Sequence, residues 1–348
     1  MKVLLTGAAG FIGSAVRAEL ETRGHEVVAV DSMIPQAHSA DAVAPATVHR
    51  ADVRDADAVS GLLDGVDVVC HQAAMVGAGV TVADLPLYAG HNDLGTAVLL
   101  AAMSARGVDR LVLASSMVVY GEGRYVCPDH GPHTPRPRRR ADLDAGVFDG
   151  RCPVCDETLD WALVEEGARL DPRSSYAASK VAQEHYASAW ARQAPAAVVA
   201  LRYHNVYGPG MPRDTPYSGV AAMFRSALER AEAPRVYEDG EQMRDFVHVG
   251  DVARANAVAV ETVAGAAPES CAAYNVCSGV PISIRDVARL ITAGSGRDLE
   301  PVVTGQYRSG DVRHIVASPR LAAEELGFRA SVPPETGLAD FADAPLRG

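Results

Sequence analysis

Short apolar runs alternate with amphipathic segments from residue 1 to about residue 201. Residues 2–6 predict a short buried strand, and Val27–Val30 predicts a second one. Between them, apolar residues recur at helical spacing and predict an amphipathic helix that ends at Gly24. This alternation predicts an α/β protein built on a doubly wound parallel sheet.

After residue 201 the pattern is mixed and predicts a smaller mixed α/β lobe over the carboxyl ends of the strands, where ligands bind in such sheets. We therefore expect a dinucleotide-binding domain over residues 1–201, with an insert at 122–170, and a substrate-binding lobe over 202–348. The signals from residue 333 onward are weak, and we expect this tail to be partly disordered.

Glycines in Gly-x-x-Gly-x-x-Gly spacing join the first predicted strand to the first helix, at Gly7, Gly10 and Gly13. Glycines here permit a tight turn, close approach of a pyrophosphate and helix–strand packing, with the helix N-terminus facing the phosphates. Asp31 ends the second strand, where it would accept hydrogen bonds from the adenosine ribose and repel a 2′-phosphate. The segment predicts a Rossmann-type site that prefers NAD to NADP.

The composition excludes several classes of partner. The formal net charge of −12 argues against nucleic acid and against an anionic membrane surface. No apolar run approaches the ~20 residues of a membrane span. We expect a cytoplasmic protein, so its six cysteines should be reduced, and clustered cysteines suggest a metal before a disulfide.

Only two lysines occur in the 348 residues, Lys2 and Lys180, and the second closes a Tyr-x-x-x-Lys motif with Tyr176. Residues four apart share one helix face, so the ammonium can lie beside the phenol. A nearby positive charge favours phenolate, which predicts a lowered pKa for Tyr176. A planar guanidinium would not replace a compact ammonium there. The pair is therefore a candidate for acid–base chemistry.

The glycine spacing and the Tyr-x-x-x-Lys motif together resemble the extended short-chain dehydrogenase/reductase superfamily, in its NAD-dependent nucleotide-sugar epimerase/dehydratase family. Within it, the segment from residue 202 to 219 and an insert that carries Cys127, Cys152 and Cys155 resemble most the subgroup of dTDP-L-rhamnose 4-epimerase and UDP-galactose 4-epimerase. The resemblance implies a catalytic triad of Ser116, Tyr176 and Lys180. Ser115 is the neighbouring residue that could be confused with the triad serine, Ser116. Tyr176 would act as the general base on a sugar hydroxyl.

The resemblance also implies a set of cofactor contacts and a set of substrate contacts. The cofactor set is Gly7, Gly10, Phe11, Ile12, Gly13, Asp31, Ser32, Asp52, Val53, Ala73, Ala74, Asn92, Tyr176, Lys180 and His204. The substrate set is Ser116, Met117, Asn205, Tyr217, Arg244 and Arg308. Two arginines suit a diphosphate, because a guanidinium binds it through bidentate, charge-assisted hydrogen bonds. We interpret Cys70, His71 and His91 as core or capping residues.

Met117 and Val118 lie where dehydratases of this family carry an Asp-Glu pair. Neither side chain can exchange a proton, so the resemblance implies epimerisation at C4 through a transient 4-keto sugar, with tightly bound NAD. The alternatives are a reductase or dehydrogenase, an epimerase acting on a sugar acid or another carbon, and a non-catalytic NAD-binding sensor. The partner is expected to be a nucleotide-diphosphate sugar. The family also implies a homodimer, through helices near 92–105 and 174–193.

Cysteine knuckles mark the insert, with Cys127-x-x-His130 followed by Cys152-x-x-Cys155. Two x2 knuckles separated by about twenty residues match a zinc-ribbon spacing. Three thiolates and one imidazole would complete a closed tetrahedral site, so we expect structural zinc. His133 and Asp129 are rival ligands, and the alternative is a surface loop with reduced, unliganded cysteines.

Overall fold

The structure is a computed structural model that describes residues 1–35, 37–38, 43–77, 82–213, 219–308 and 310–347. The strands are β1 (Lys2–Thr6), β2 (Glu26–Asp31), β3 (His49–Arg50), β4 (Val68–His71), β5 (Arg110–Ser116), β6 (Arg124–Cys127), β7 (Gly131–His133), β8 (Asp160–Ala162), β9 (Ala197–Tyr203), β10 (Asn205–Tyr207), β11 (Arg235–Val236), β12 (Met243–His248), β13 (Ser270–Val276), β14 (Pro281–Ser283) and β15 (Val302–Val303). The helices are α1 (Phe11–Thr22), α2 (Ala56–Leu62), α3 (Leu85–Tyr88), α4 (Gly95–Arg106), α5 (Arg140–Asp144), α6 (Ser175–Gln193), α7 (Val220–Glu229), α8 (Val249–Ala264), α9 (Ile284–Gly294), α10 (Arg320–Glu325) and α11 (Pro334–Phe341).

A seven-stranded sheet forms the centre of the molecule, in the order β13-β9-β5-β4-β1-β2-β3. Every pairing in it is parallel. The central strands are buried on both faces, and β4 and β9 are accordingly apolar except near their carboxyl ends, where His71 and Arg202 lie. This architecture confirms the predicted fold class.

Helices cover both faces of the sheet. On one face α1 and α8 pack against it, with Leu20 and Val260 fully buried. On the other face lie α2, α4 and α6, which bury Leu99 and Trp190. None of the described helices is both long and apolar enough to cross a membrane.

The second half of the chain contributes to both parts of the molecule. Strands β10, β12 and β14 form a small separate sheet. Between β12 and β14 the chain passes through α8 and adds β13 to the edge of the central sheet. The remaining elements, with β11 paired to β15, pack around Tyr207, Phe246 and Phe341. The domain boundary between residues 201 and 202 thus stays a prediction. The central sheet includes β13, which comes after that boundary in the sequence.

The C-terminal tail carries a helix, so the expectation of partial disorder is wrong for α11. Its apolar residues Leu338 and Phe341 are 0% and 1% exposed. Helix α11 lies so close to α9 that a Cβ on Gly294 would stand 2.1 Å from the backbone oxygen of Ala339. The weak sequence signal reflects a short helix that is ordered by packing rather than by propensity.

The insert forms its own three-stranded antiparallel sheet, in the order β7-β6-β8. Its small core contains Tyr125, Cys127, Cys152 and Leu159. This core is too small to hold a fold by apolar burial alone, which is typical of units stabilised by a metal or by docking.

Exchanging Gly294 for alanine should test the close contact between α9 and α11. We expect Gly294→Ala to lower the free energy of unfolding by about 1–3 kcal/mol, because the added methyl group must displace backbone. The control is Gly61→Ala in α2, where a Cβ meets nothing within 4 Å. That change should stabilise by up to about 1 kcal/mol. Equal denaturant midpoints for the two variants would contradict the packing described.

Candidate functional site

A cavity of about 1520 Å³ opens at the carboxyl ends of the central strands, between the sheet and the second half of the chain. Its size suits a dinucleotide together with a second ligand, since pockets for single small ligands are typically ~300–1,000 Å³. The predicted site residues that line it are Gly7, Gly10, Phe11, Ile12, Gly13, Asp31, Ser32, Asp52, Val53, Ala73, Ala74, Met117, Tyr176, Lys180, Asn205, Arg244 and Arg308.

The glycine turn after β1 holds three backbone segments in contact. Gly7 has a φ of +68°, and a Cβ there would lie 2.7 Å from the backbone nitrogen of Ala73. A Cβ on Gly13 would lie 1.9 Å from the carbonyl oxygen of Gly7. No side chain fits at either position, so the N-terminus of α1 remains bare and faces the cavity. Such a cradle fits the pyrophosphate of a dinucleotide.

Asp31 is held in place at the end of β2. Its carboxylate accepts hydrogen bonds from the backbone nitrogens of Ala9 and Met33, at 3.0 and 2.9 Å. His38 lies 3.3 Å from the same carboxylate. Burial raises the pKa of Asp31, but the bonds to His38, Met33 and Ala9 outweigh it and leave the pKa below its usual value. The residue therefore stays ionised, as an acceptor for ribose hydroxyls requires.

Tyr176 and Lys180 meet the end of β5 because α6 begins there. Ser174 caps the helix by accepting a hydrogen bond from the backbone nitrogen of Ala177 at 3.1 Å. The ammonium of Lys180 lies 5.9 Å from the centre of the Tyr176 ring and donates to the carbonyl of Ala114 at 2.9 Å. The structure thus brings the two predicted side chains together in one wall of the cavity.

The pKa of Tyr176 does not follow the prediction. Burial raises it to about 12, against a hydrogen bond with Ser116 that lowers it. Burial also lowers the pKa of Lys180 to about 7, although the charge of Glu184 opposes this. In the protein without a cofactor the shift runs opposite to the predicted lowering, because desolvation of the phenol by burial outweighs the hydrogen bond with Ser116.

A buried ion pair under this wall was missed by the sequence reasoning. Glu184 accepts two hydrogen bonds from Arg202, at 2.9 and 2.7 Å, and a third from the hydroxyl of Ser115. Ser115 is engaged in this way, whereas the predicted triad residue Ser116 hydrogen-bonds Tyr176. Unlike Ser115, Ser116 is not among the residues that line the cavity. A glutamate four residues after Lys180 was the available signal, since such spacing places both side chains on one helix face.

Two predicted cofactor residues lie behind the cavity wall. Asn92 is 0% exposed, and its amide exchanges two hydrogen bonds with the backbone of Met75 and donates a third to Ser179. It ties the loop after β4 to α6, so its amide is occupied by the protein. Burial lowers the pKa of His204 to about 3, which keeps that ring neutral. His71 bridges Thr6 and Thr96 in the core, as interpreted.

The predicted diphosphate arginines project from the second half of the chain. Arg244 donates to the carbonyls of Met243, Val312 and Arg313. A guanidinium has five N–H groups, so its Nε–H and one N–H on Nη2 are left without an acceptor in the described part of the chain. Arg308 lies 5.2 Å above the ring of Tyr237. Tyr217, also predicted to contact substrate, lies outside the described residues.

Other polar residues line the cavity without having been predicted. They carried no sequence signal beyond their charge or polarity, because it is the folded chain that brings them to this wall. They include His38, Arg173, Arg235, Tyr237, Glu238, Gln242 and Asp311.

The cysteine knuckles of the insert come together in space. Cys127 Sγ lies 3.4 Å from His130 Nδ1 and 3.7 Å from Cys155 Sγ, and Cys152 Sγ lies 3.9 Å from the same nitrogen. All four ligand atoms lie within 4.8 Å of one another. The sulfurs are too far apart for a disulfide. Among the described residues, this group includes His130 and neither His133 nor Asp129.

Comparisons with known proteins give the relatives of this chain. It is 37% identical over 353 residues to dTDP-L-rhamnose 4-epimerase of Burkholderia thailandensis, covering 98% of this chain and 93% of the relative. The UDP-glucose 4-epimerase of Thermus thermophilus, solved with NAD, matches with 31% identity and a TM-score of 0.75, over 99% of this chain and 98% of that one. MoeE5, solved with UDP-glucuronic acid and NAD, matches with 32% identity and a TM-score of 0.74, over 97% of both chains.

These relatives include nucleotide-sugar 4-epimerases, which confirms the predicted class of enzyme and reaction. The model of the NAD dependent epimerase/dehydratase family matches residues 3–140 and 160–277. The stretch between these two matches falls within the predicted insert. With more than half of its length matched, the chain belongs to the NAD dependent epimerase/dehydratase family.

Proposed function

We propose that this enzyme inverts C4 of a nucleotide-diphosphate sugar through a transient 4-keto sugar, with Ser116, Tyr176 and Lys180 as its reacting wall. The observation that carries the proposal is one cavity that joins the bare glycine turn, the Tyr176–Lys180 pair and the free edge of Arg244. When bound, NAD would accept a hydride from the sugar and return it, and its positively charged ring would favour the phenolate. The glycine cradle and Asp31 are the residues that would hold it.

Tyr176 would take the proton of the sugar 4-hydroxyl and give it back after the sugar has turned over. A phenol with its pKa raised to about 12 holds its proton too tightly for a base at neutral pH. Lys180 lies on the same helix face, and Glu184 supports its ammonium form. We infer that the positive charges of Lys180 and the cofactor together bring the phenol into working range. Ser116 would orient the same sugar oxygen.

Apolar side chains beside the triad exclude elimination. Met117 lines the cavity and contacts the amide of Asn205 through its sulfur, at 3.7 Å. Val118 lines it as well. Neither group can protonate a leaving hydroxyl, so the keto sugar has only the return of the hydride open to it. This supports epimerisation rather than dehydration.

In this proposal, Arg244 and Arg308 bind the diphosphate of the nucleotide sugar. The Nε–H and the remaining Nη2 N–H of Arg244 can form a bidentate bond to one phosphate. Arg308, stacked on Tyr237, supplies the second positive charge. The cavity is compatible with an uncharged hexose and also with a sugar acid. The sugar acid is included because Arg173, a positive charge, lines the same cavity and because MoeE5 was solved with UDP-glucuronic acid. We favour an uncharged sugar, since Arg173 already pairs with Asp171 at 2.7 Å.

Turnover in deuterium oxide tests the reaction. Purified protein is incubated without added cofactor with dTDP-, UDP- and GDP-hexoses, 6-deoxyhexoses and hexuronic acids, and products are identified by NMR and mass spectrometry. We expect a C4 epimer of unchanged mass with no deuterium on carbon, because the hydride returns directly. Tyr176→Phe should lower kcat by about 10²–10⁴-fold while retaining bound NAD. Loss of water, deuterium uptake or a requirement for NAD(P)H would instead identify a different enzyme of the family.

We also propose that the knuckles hold one structural zinc ion. Tetrahedral zinc with Zn–S of ~2.3 Å and Zn–N of ~2.0 Å needs ligand atoms separated by roughly 3.5–3.8 Å. The 3.7 Å between the sulfurs of Cys127 and Cys155 falls in that range, and the 3.4 Å from Cys127 Sγ to His130 Nδ1 lies just below it. Four protein ligands leave no open position, so the ion would stabilise the insert and take no part in the reaction.

Metal analysis tests this site. Protein prepared without chelator should carry about one equivalent of zinc, and Cys152→Ser should lose it and unfold the insert at a lower temperature. Cys271→Ser is the matched control, because Cys271 is an exposed free cysteine away from the group. Wild-type protein that carries no zinc and binds none when titrated would rule the site out.

A homodimer through α4 and α6 is the third proposal. These helices pack side by side on one face of the sheet. Leu94, directly before α4, is 55% exposed, and Tyr186 on α6 is 48% exposed. Large apolar groups left in solvent beside two packed helices suit a self-complementary interface.

Light scattering after gel filtration tests the assembly. Wild-type protein should have the mass of two chains, and Leu94→Asp with Tyr186→Asp should shift it to one chain, because two carboxylates would be buried without partners. The control places the same charges at Val302 and Val303, which are 50% and 44% exposed on β15. Dissociation by the control pair, or a wild-type monomer, would contradict this interface.

A further inference from the structure

A cluster of charged side chains, in which Arg138, Glu238 and Arg313 are buried and two aspartates are partly exposed, lies outside the reaction centre and joins three separate parts of the chain. At its middle is Arg313, which is 1% exposed. Its guanidinium contacts Asp149 of the insert at 2.8 Å, Glu238 at 2.9 Å and Asp239 at 2.7 Å. None of these groups belongs to the proposed triad or cofactor cradle.

Arg138 connects the insert to the same cluster. Its side chain is 7% exposed and pairs with Glu238 at 2.7 Å. The guanidinium also donates to the carbonyl of Asp311 at 2.6 Å and to that of Phe148, within the insert, at 3.2 Å. One insert side chain therefore holds both the wall residue Glu238 and the backbone of the segment that follows Arg308.

The segment held by Arg138 also holds Arg244. The carbonyls of Val312 and Arg313 accept hydrogen bonds from Arg244. Arg308 and Asp311, from the same segment, line the cavity. The backbone from residue 311 to 313 is thus bonded to Arg138 on one side and to Arg244 on the other, so its position decides where the free edge of Arg244 points.

A second set of contacts runs parallel to the first. The hydroxyl of Tyr125 in β6 accepts from the backbone nitrogen of His314 at 2.9 Å and donates to its carbonyl at 3.4 Å. Farther along, Val164 of the insert exchanges backbone bonds with Val316 and Ser318. The insert is therefore attached to the segment from residue 311 to 318 by directional hydrogen bonds and not by apolar contacts alone.

Directional, charged contacts of this kind suit positioning better than anchoring. Burying ions carries a desolvation penalty, and apolar packing often stabilises an attachment equally well. Bidentate guanidinium bonds, by contrast, restrict orientation. If the insert only had to be attached, Arg138 would add little to the stability of that attachment. A binding wall that must hold the guanidinium of Arg244 in one orientation, by contrast, gains a fixed geometry from it.

We infer that Arg138 is a positioning residue for the nucleotide-diphosphate end of the substrate, through which the insert fixes the segment that orients Arg244 and Arg308. The inference rests on the proposed function in taking these two arginines as diphosphate ligands. It gives the insert a role in substrate affinity that is separate from its own folding. The cofactor side of the cavity contains none of these contacts and should not respond.

Calorimetric binding of UDP, dTDP and GDP to the NAD-loaded full chain tests the inference without requiring turnover. Arg138→Met should weaken binding by about tenfold or more and raise KM by a similar factor, with a smaller effect on kcat and with bound NAD unchanged. Arg139→Met is the matched control, because the neighbouring side chain is 60% exposed and, among the described residues, pairs at the surface with Asp142 and Asp156. The control should bind as the wild type does.

Tyr125→Phe provides a second variant, should Arg138→Met fail to fold. It removes the hydroxyl that bonds His314 without changing charge, and it should weaken nucleotide binding in the same direction with NAD retained. Wild-type affinity in a folded Arg138→Met, or in Tyr125→Phe if Arg138→Met is unfolded, would overturn the inference. Equal losses of nucleotide and NAD binding would also overturn it, as a general structural effect. A wild-type protein that binds none of UDP, dTDP and GDP would refute the proposed substrate class itself.

Discussion

Close backbone contact at the start of the chain is the constraint on which the rest of the site depends. Gly7 and Gly13 leave so little room that β1, α1 and the loop after β4 touch without side chains between them. The contact leaves the N-terminus of α1 bare at the carboxyl edge of the sheet, where its N–H groups and dipole favour an anion. Because all neighbouring strands are parallel, β2 and β5 end at this same edge and bring Asp31 and Ser116 to it.

Buried charge organises the two halves of the cavity in different ways. Beneath the reacting wall, Glu184 pairs with Arg202 and also supports the ammonium of Lys180. At the other end, Arg313 and Arg138 share Glu238. The first group places a carboxylate near the ammonium beside the phenol, where its charge opposes the lowering of the Lys180 pKa by burial. The second acts on geometry, because its arginines bond backbone carbonyls and carboxylates at once.

The insert is only partly covered by the family model, which leaves out residues 141–159. Its small sheet has only a minor core of its own. Its cysteines and His130 converge within 4.8 Å, and its Arg138 pairs with Glu238 in the cavity wall. The proposed zinc ion and these docking contacts would together compensate for the small core, and would link local order to substrate geometry through one segment.

The sequence by itself determined the fold class, the glycine turn, Asp31 and the Tyr176–Lys180 pair, because each depends on local spacing along one or two elements. It also brought the knuckles to notice, since metal ligands recur at fixed short intervals. Only the tertiary structure decided that Asn92 and His204 lie behind the wall, that Glu184 pairs with Arg202, and that the tail forms α11. These outcomes depend on burial and on contacts between residues far apart in sequence. The raised pKa of Tyr176 belongs with them, because desolvation is a property of the folded surroundings and not of a motif.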